Sequence, residues 1–453
     1  MSTCPRSTRF HGIGWRGLAL TAVAACTPAA CALAAEGEWR DLFNGRDLTG
    51  WVIVNVAPST FTVRDGMIVS TGKPTGTIRT ERMYENFILE LEWRHLTPGG
   101  NAGVFLWGDP LPHVGTPFSR GIEVQVLDGR NGPNYTSHGD VFAIWGAQMV
   151  PDRPHPAGWQ RCLPSEQRCR SAPEWNHYRI TCNDGVIKLA VNGKEVSGAS
   201  RCRPRQGYIC LEAEGAECHF RNLRIQELPS THPTPEETAE PARGFVPLYT
   251  GLDLSGWRRV EGQEGHWQPH DWILHYDGQC AAATPRDKHL WTEREYGDFE
   301  LIVDWRLPAR PVKKQYPVVL PTGDELLDPQ GQVVMREVDD AGNSGILLRG
   351  SEDAQINICC YPVGSGEITA YRTNKALPAE VRAAVTPRKV ADAPLGHWNR
   401  FHITLRQDRV TVVLNGETII ENALLPGLPP RGPIGLQHHE TVVEFANLFV
   451  REL

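Results

Sequence analysis

The second half of this chain restates the first. The stretch DLFNGRDLTGW at 41–51 returns as PLYTGLDLSGW at 247–257. Thr80-Glu81-Arg82, Tyr84, Phe87 and Trp93-Arg94 return as Thr292-Glu293-Arg294, Tyr296, Phe299 and Trp305-Arg306. Gly100-Asn101-Ala102-Gly103 matches Gly342-Asn343-Ser344-Gly345, Trp175-Asn176 matches Trp398-Asn399, and Asn192-Gly193 matches Asn415-Gly416. The order is kept throughout, so the chain consists of two copies of one domain. That agrees with the two or three domains expected of 453 residues. Residues 37–229 form the first copy and 243–453 the second. The stretch 230–242 between them is rich in proline and charge and reads as a semi-rigid linker.

Within each copy hydrophobic residues alternate with polar ones. Residues 87–93 (FILELEW) make a strand with one wet face. Residues 186–191 lead into Asn192-Gly193, a type I′ hairpin signal, and 410–414 lead into Asn415-Gly416 in the same way. Many short strands with Gly, Asn and Asp turns predict an all-β chain of tandem sandwiches or jelly rolls. One helix is expected near 379–384, in an insertion confined to the second copy. The 14 tryptophans suit sandwich cores, although indole faces also stack on sugars.

The net charge of −7 argues against nucleic-acid binding, which needs a basic face for the phosphates. Residues 1–36 read as a targeting segment, with Arg6, Arg9 and Arg16 ahead of a short apolar run. Ala32-Leu33-Ala34 fits a cleavage site, and Val23-Ala24-Ala25-Cys26 fits a lipoprotein signal with a lipid anchor at Cys26. Either reading places the mature protein in the periplasm or tethered to a membrane. An exported protein can form disulfides; Cys162 with Cys169 is the first pair to expect, and Cys182 with Cys202 the second. No CxxC pair suggests zinc.

Several motifs together resemble the 3-keto-disaccharide hydrolase-like family. They are the opening at 42–51, Gly100 with the GVF strand after it, GIEVQVLD at 121–128, Trp175-Asn176, Asn192-Gly193, and the closing Phe220-Arg221-Asn222. The match covers nearly all of 37–229 and is looser over 243–453. The resemblance implies a concanavalin- or glucanase-like jelly roll and glycosides oxidised at C3 of the sugar as substrates. Lectin-like binding or a surface scaffold is the alternative that the fold alone allows.

Alternate residues of a strand share a face. Glu123 and Gln125 therefore point together, as do Glu212 and Glu214, and Asp128 stands at the end of the first of these strands. His138 and Asp140 are two apart on a turn. Beside the resemblance, Glu123, His138 and Asp128 are candidate catalytic residues. Gln125, Glu214, Trp107 and Trp145 are candidate sugar-binding residues. Asp128, His138 and Asp140 can alternatively hold a divalent cation that polarises a ketone. A ketone at C3 acidifies the C2 hydrogen, so the chemistry needs a base near C2 and an acid near the glycosidic oxygen; Glu123 and His138 both qualify as the base. In the second copy Gln355 and Asn357 stand where the first has Glu123 and Gln125, and Gln437 and His439 stand opposite Glu212 and Glu214. An amide cannot serve as a general base, so catalysis is expected in the first copy. His438-His439-Glu440 forms a separate polar cluster.

Overall fold

A computed structural model describes residues 37–128 and 139–453. The targeting segment, with Cys26, and His138 lie outside the described residues.

The repeated motifs do the same work in each copy. Trp51 is buried and its indole N–H donates to the Leu42 carbonyl at 2.9 Å; Trp257 donates to Leu248 at 2.7 Å. Asn176 accepts from the Arg170 amide at 2.7 Å and from the Asn192 side chain at 3.0 Å. Asn399 does so from Ala393 at 2.7 Å and from Asn415 at 2.8 Å. Asn192 and Gly193 have φ of 48° and 85°, and Asn415 and Gly416 have 52° and 84°. Those are the left-handed values a type I′ turn requires. Each Trp-Asn thus braces the Asn-Gly hairpin of its own copy.

Alternation builds the sandwiches. In Asn176–Asn183, Tyr178, Ile180 and Cys182 are buried while His177, Arg179 and Thr181 are half-exposed. In Val186–Val191, Ile187, Leu189 and Val191 are buried. Among the described residues the first copy has one sheet of nine strands and one of seven. The first runs Gln148–Pro151, Lys194–Arg203, Val186–Val191, Asn176–Asn183, Phe87–His95, Cys218–Glu227, Met67–Ser70 and Phe61–Arg64, with Trp39–Asp41 paired to Cys218–Glu227. The second runs Arg161–Cys162, Val141–Ile144, Gly121–Gln125, Gly103–Gly108, Tyr208–Ala213, Gly76–Thr80 and Trp51–Ile53. Antiparallel pairs and a core between the two sheets, containing Trp93, Phe61, Phe87, Tyr178 and Phe220, make a jelly roll. Burying each such large side chain contributes about 1.5–3 kcal/mol.

The second copy repeats this with sheets of eight and four strands around Trp257, Tyr276, Phe299, Phe401 and Phe445. The helix Ala379–Ala384 forms as the sequence predicts, preceded by a shorter one, Thr369–Thr373. A two-stranded ribbon, Val312–Pro317 with Met335–Asp340, has no counterpart among the described residues of the first copy.

The linker 230–242 packs along the first copy: Glu237 accepts from the Arg205 amide at 2.7 Å, Ala239 donates to Gln206 at 2.7 Å, and Ala242 donates to the Tyr208 hydroxyl at 2.9 Å. The expected disulfides are corrected. The nine described cysteines are all free thiols. Cys162 is buried with its thiol toward the Leu163 carbonyl, whereas Cys169 faces the Tyr178 hydroxyl at 3.9 Å, so the pair does not meet. Cys182 and Cys202 are buried thiols, each held above the ordinary range by burial.

The copies are joined by a loop of the first, residues 109–120, clamped at its base by Arg120 on Asp109 at 2.8 and 2.9 Å. Its tip docks on the larger sheet of the second copy. Asp304, fully buried, accepts from the Gly115 amide at 2.9 Å, Arg400 at 2.6 and 2.9 Å, and Asn447 at 2.7 Å. Arg400 also donates to the Pro112 carbonyl at 2.9 Å, and Asn447 to Thr116 at 2.9 Å.

Candidate functional site

Three adjacent strands of the seven-stranded sheet carry the site. Gly103 pairs with Gln125 and Phe105 with Glu123, while Leu211 lies opposite Val104. Val104, Val124 and Leu211 fill the core. The pleat therefore turns Glu123, Gln125, Gly103, Phe105 and Glu212 to the other face. Asn101 bridges Glu214 at the strand ends, and its amide donates to the Glu214 carboxylate. Gln125 donates to Asn101 at 2.6 Å. Phe105, Tyr208 and Cys210 cluster on this same face with Met83, Phe118 and Ile144, which explains why these strands are buried on both sides.

Gly103 is what lets two acids meet. A Cβ there would stand 2.7 Å from Oε1 of Glu123 and 2.8 Å from Oε2 of Glu212. Both carboxyls thus converge over the one position in the middle strand that has no side chain. Glu123 and Glu212 are almost fully buried. Burial, and then the charge of neighbouring Glu214, pushes the Glu123 carboxyl well above the usual range, while the Arg161 guanidinium opposes that rise. Glu212 is raised by burial first and then by Glu123 and Glu214, with no cation to oppose it. Glu214 is raised by burial and held back by Asn101. Oε2 of Glu212 and the Thr77 hydroxyl, opposite each other in the sheet, are buried without hydrogen-bond partners. Two carboxyls forced together cannot both ionise at neutral pH, so the pair holds a proton.

On the flanking strand Phe142 lies opposite Glu123, and Arg161 opposite Phe142. Arg161 donates to the buried Asp140 carboxylate through Nε at 2.7 Å and also through Nη2. Its guanidinium lies 4.5 Å from the Phe142 ring centre.

The structure brings together Glu123, Gln125 and Glu214 of the residues expected from sequence. It corrects others. Asp128 is turned away, because the chain bends back at the strand end: its amide donates to Gly100 at 2.8 Å and its carboxylate accepts from the Ala172 amide at 3.1 Å. Asp140 is engaged by Arg161, and His138, the third candidate cation ligand beside Asp128 and Asp140, lies outside the described residues. Among the described residues no group of three or more His, Cys, Asp or Glu side chains is arranged to hold a metal ion. Trp107 cannot stack a sugar: it is fully buried in the core and donates to the Glu85 carbonyl at 2.8 Å. Trp145 is 44% exposed at the end of the Phe142 strand and stacks on His113 with centres 6.1 Å apart. The guanidiniums of Arg221 and Arg94 lie 3.9 and 4.6 Å from the Trp175 ring centre.

Sequence reasoning left three participants out of the site. Glu212 was visible as the same-face neighbour of Glu214. Gly103 and Arg161 carry no local signal, since their roles arise from strand pairing.

The second copy keeps the frame and changes the chemistry. Gly345 pairs with Asn357 and Leu347 with Gln355, and the Gln437 amide donates to the Gly345 carbonyl at 2.9 Å. Gln355 and Gln437 thus stand where Glu123 and Glu212 stand in the first copy. The buried ion pair is also repeated: Asn357 donates to the Glu367 carbonyl as Gln125 does to that of Asp140, both at 3.0 Å, and Arg372 is paired with Glu367. His438 bonds the Tyr276 hydroxyl, and its amide donates to His289 at 3.0 Å; burial holds His289 down to about 4.

Comparison with known proteins gives one family match: the model described as "3-keto-alpha-glucoside-1,2-lyase-like domain" fits residues 38–226 and again 244–451. No curated protein matches the chain. Among solved structures, a candidate glycosyl hydrolase from Parabacteroides distasonis is 23% identical, with 43% of this chain and 94% of that one covered and a TM-score of 0.33. A β-glucanase from Bacillus licheniformis is 14% identical over 43% of this chain and 99% of that one, TM-score 0.29. The carbohydrate-binding module CBM66 from Bacillus subtilis is 11% identical over 39% and 94%, TM-score 0.28.

Proposed function

Because this chain belongs to the family of 3-keto-alpha-glucoside-1,2-lyase-like domains, we propose that its first copy cleaves 3-keto-glycosides by elimination across C1 and C2. The observation that carries this reading is the pair of buried carboxyls converging over Gly103, one with a cation nearby and one without. Such a pair divides into a base and an acid. Arg161 opposes the rise at Glu123 more than its partner Asp140 adds to it, which favours Glu123 as the base. Glu212, buried with an unpartnered oxygen and no opposing cation, is the acid.

The reaction balances as follows. Glu123 removes the C2 proton, and the electron pair moves into the C3 ketone to give an enolate. The amide of Gln125, on the same face, supplies a donor for the enolate oxygen. The enolate then collapses: C1=C2 forms, the C1–O bond breaks, and Glu212 delivers its proton to the departing oxygen. Water addition in reverse, with Glu212 as base toward C1 and Glu123 returning its proton to C2, gives net hydrolysis and resets both groups. Without water addition, proton exchange with solvent resets them.

Turnover is tested with a 3-keto-glucoside carrying a chromogenic C1 group. Glu123→Gln and Glu212→Gln should each lower kcat by at least about 10²-fold, the scale of a positioned acid or base. No release by the unaltered protein from any keto-glucoside sinks the reading. The leader-like segment 1–36 supports action outside the cytoplasm, and mass spectrometry of the mature N-terminus distinguishes cleavage after Ala34 from lipidation of Cys26.

A further inference from the structure

We propose that the second copy carries its own binding site for an uncharged carbohydrate, built from the carboxamides of Gln355, Asn357 and Gln437. The proposal rests on the carbohydrate reading above but not on turnover.

The three amides are locked to one another. Nε2 of Gln355 donates to Oε1 of Gln437 at 2.8 Å and to Oδ1 of Asn357 at 3.1 Å. That leaves Oε1 of Gln355, Nδ2 of Asn357 and Nε2 of Gln437 free for a ligand; Gln355 and Gln437 are half-buried and Asn357 is buried. One acceptor and two donors are thereby held in fixed relation on one face. A sugar hydroxyl both donates and accepts, so a pair of vicinal hydroxyls suits such an array. Holding the amides in place before binding reduces the entropy lost on binding.

The charge around the array excludes an ionic ligand. Glu367 and Arg372 neutralise each other beneath Asn357, and Lys314 pairs with Asp340 at 2.5 Å. Burial holds His439 below its ordinary value, which leaves the ring neutral at pH 7. A uronic acid or a phosphorylated sugar would find no free cation here. Tyr316 and Tyr361 are half-exposed with centres 4.4 Å apart, and the Asn343 side chain, just ahead of the strand Ser344–Leu348 that pairs with Gln355 and Asn357, donates to the Tyr361 hydroxyl at 3.0 Å. They offer aromatic faces for sugar C–H groups. Nor does the fold require this polarity. A buried ion pair with a layer of amides costs desolvation that apolar residues of similar volume would avoid, and a sheet face with no ligand has no use for it.

The test uses the full chain with Glu123→Gln, in which the first copy is expected to be inactive. Cellobiose, maltose, sucrose and trehalose are titrated calorimetrically at pH 5 and pH 8, beside a disaccharide containing glucuronic acid. At least one neutral disaccharide should bind saturably with the same affinity at both pH values, since amides do not titrate, and the acidic sugar should bind at least about tenfold more weakly. Adding Gln355→Ala or Gln437→Ala should weaken binding about tenfold or more, the worth of one net hydrogen bond. Adding Glu212→Gln should leave it intact. Absence of saturable binding by all four neutral sugars overturns the proposal. So does binding that survives both alanine variants but is lost with Glu212→Gln, because that sugar sits in the first copy. Keto-glucoside turnover by the Glu123-intact protein is read separately, so failure here and failure of the elimination reading are distinct results.

Discussion

At the scale of single residues the site is costly to the fold. Glu212 is buried and its carboxyl is raised above the unfolded value of about 4.3. The folded state therefore keeps a proton that the unfolded chain loses. Stability falls as pH rises through the unfolded value and goes on falling until the folded one is passed. A glutamine at this position does not titrate. Glu212→Gln should accordingly be more stable than the unaltered protein, by roughly 1–3 kcal/mol at pH 8 and by little at pH 4. Urea melts at the two pH values measure this, and an equal gap at both would mean that Glu212 ionises like an exposed acid. The same variant loses turnover, so stability and activity should move in opposite directions at one residue.

Among elements, the central strand Gly103–Gly108 decides how close its neighbours' acids come. A methyl group on Gly103 would meet the carboxyls of Glu123 and Glu212 first and push them apart. Gly103→Ala should thus fold at a cost of about 1–3 kcal/mol in stability and lose at least about tenfold in kcat. Circular dichroism melts alongside turnover check it; full activity would show that the acids do not need to converge. This element also marks how far the sequence was legible. The strand at 87–93, the Asn-Gly turns and the Trp-Asn motifs are local signals, and each sits where it was expected, although the face of 87–93 expected to be wet is covered at Ile88 and Glu90, where Arg179 and Arg224 close over the carboxylate. Same-face neighbours within a strand, Glu123 with Gln125 and Glu212 with Glu214, were equally readable. Gly103 between two glutamates, and Arg161 across from Phe142, are facts of register between strands far apart in sequence, and no local pattern encodes them. Trp107 misled for a related reason: its φ of 56° marks an irregular point in its strand, and the indole goes to the core instead of following simple alternation to the solvent side.

On the scale of the whole molecule, Asp304 ties the copies together. It is fully buried and engages Arg400, Asn447 and the Gly115 amide. Removing one member of a buried ion pair leaves the other charge uncompensated and costs about 3–5 kcal/mol. Asp304→Ala should lose that much and separate one calorimetric transition into two, as the docked loop lets go. A single transition at the original temperature would mean that the copies are held elsewhere. The socket around Asp304 also bears on how many such domains can join in a row. A loop of one copy seated on a different surface of the next is a head-to-tail contact, the kind that propagates into a filament when every unit presents both surfaces. Here the first copy does not present the second surface. Glu92 and Asn222 stand where Asp304 and Asn447 stand, but Ala446 is replaced by Arg221, which bonds Glu92 at 2.6 Å and lies over Trp175. In the first copy Arg221 therefore occupies the position that Ala446 leaves open beside Asp304 in the second, so the two surfaces are not interchangeable.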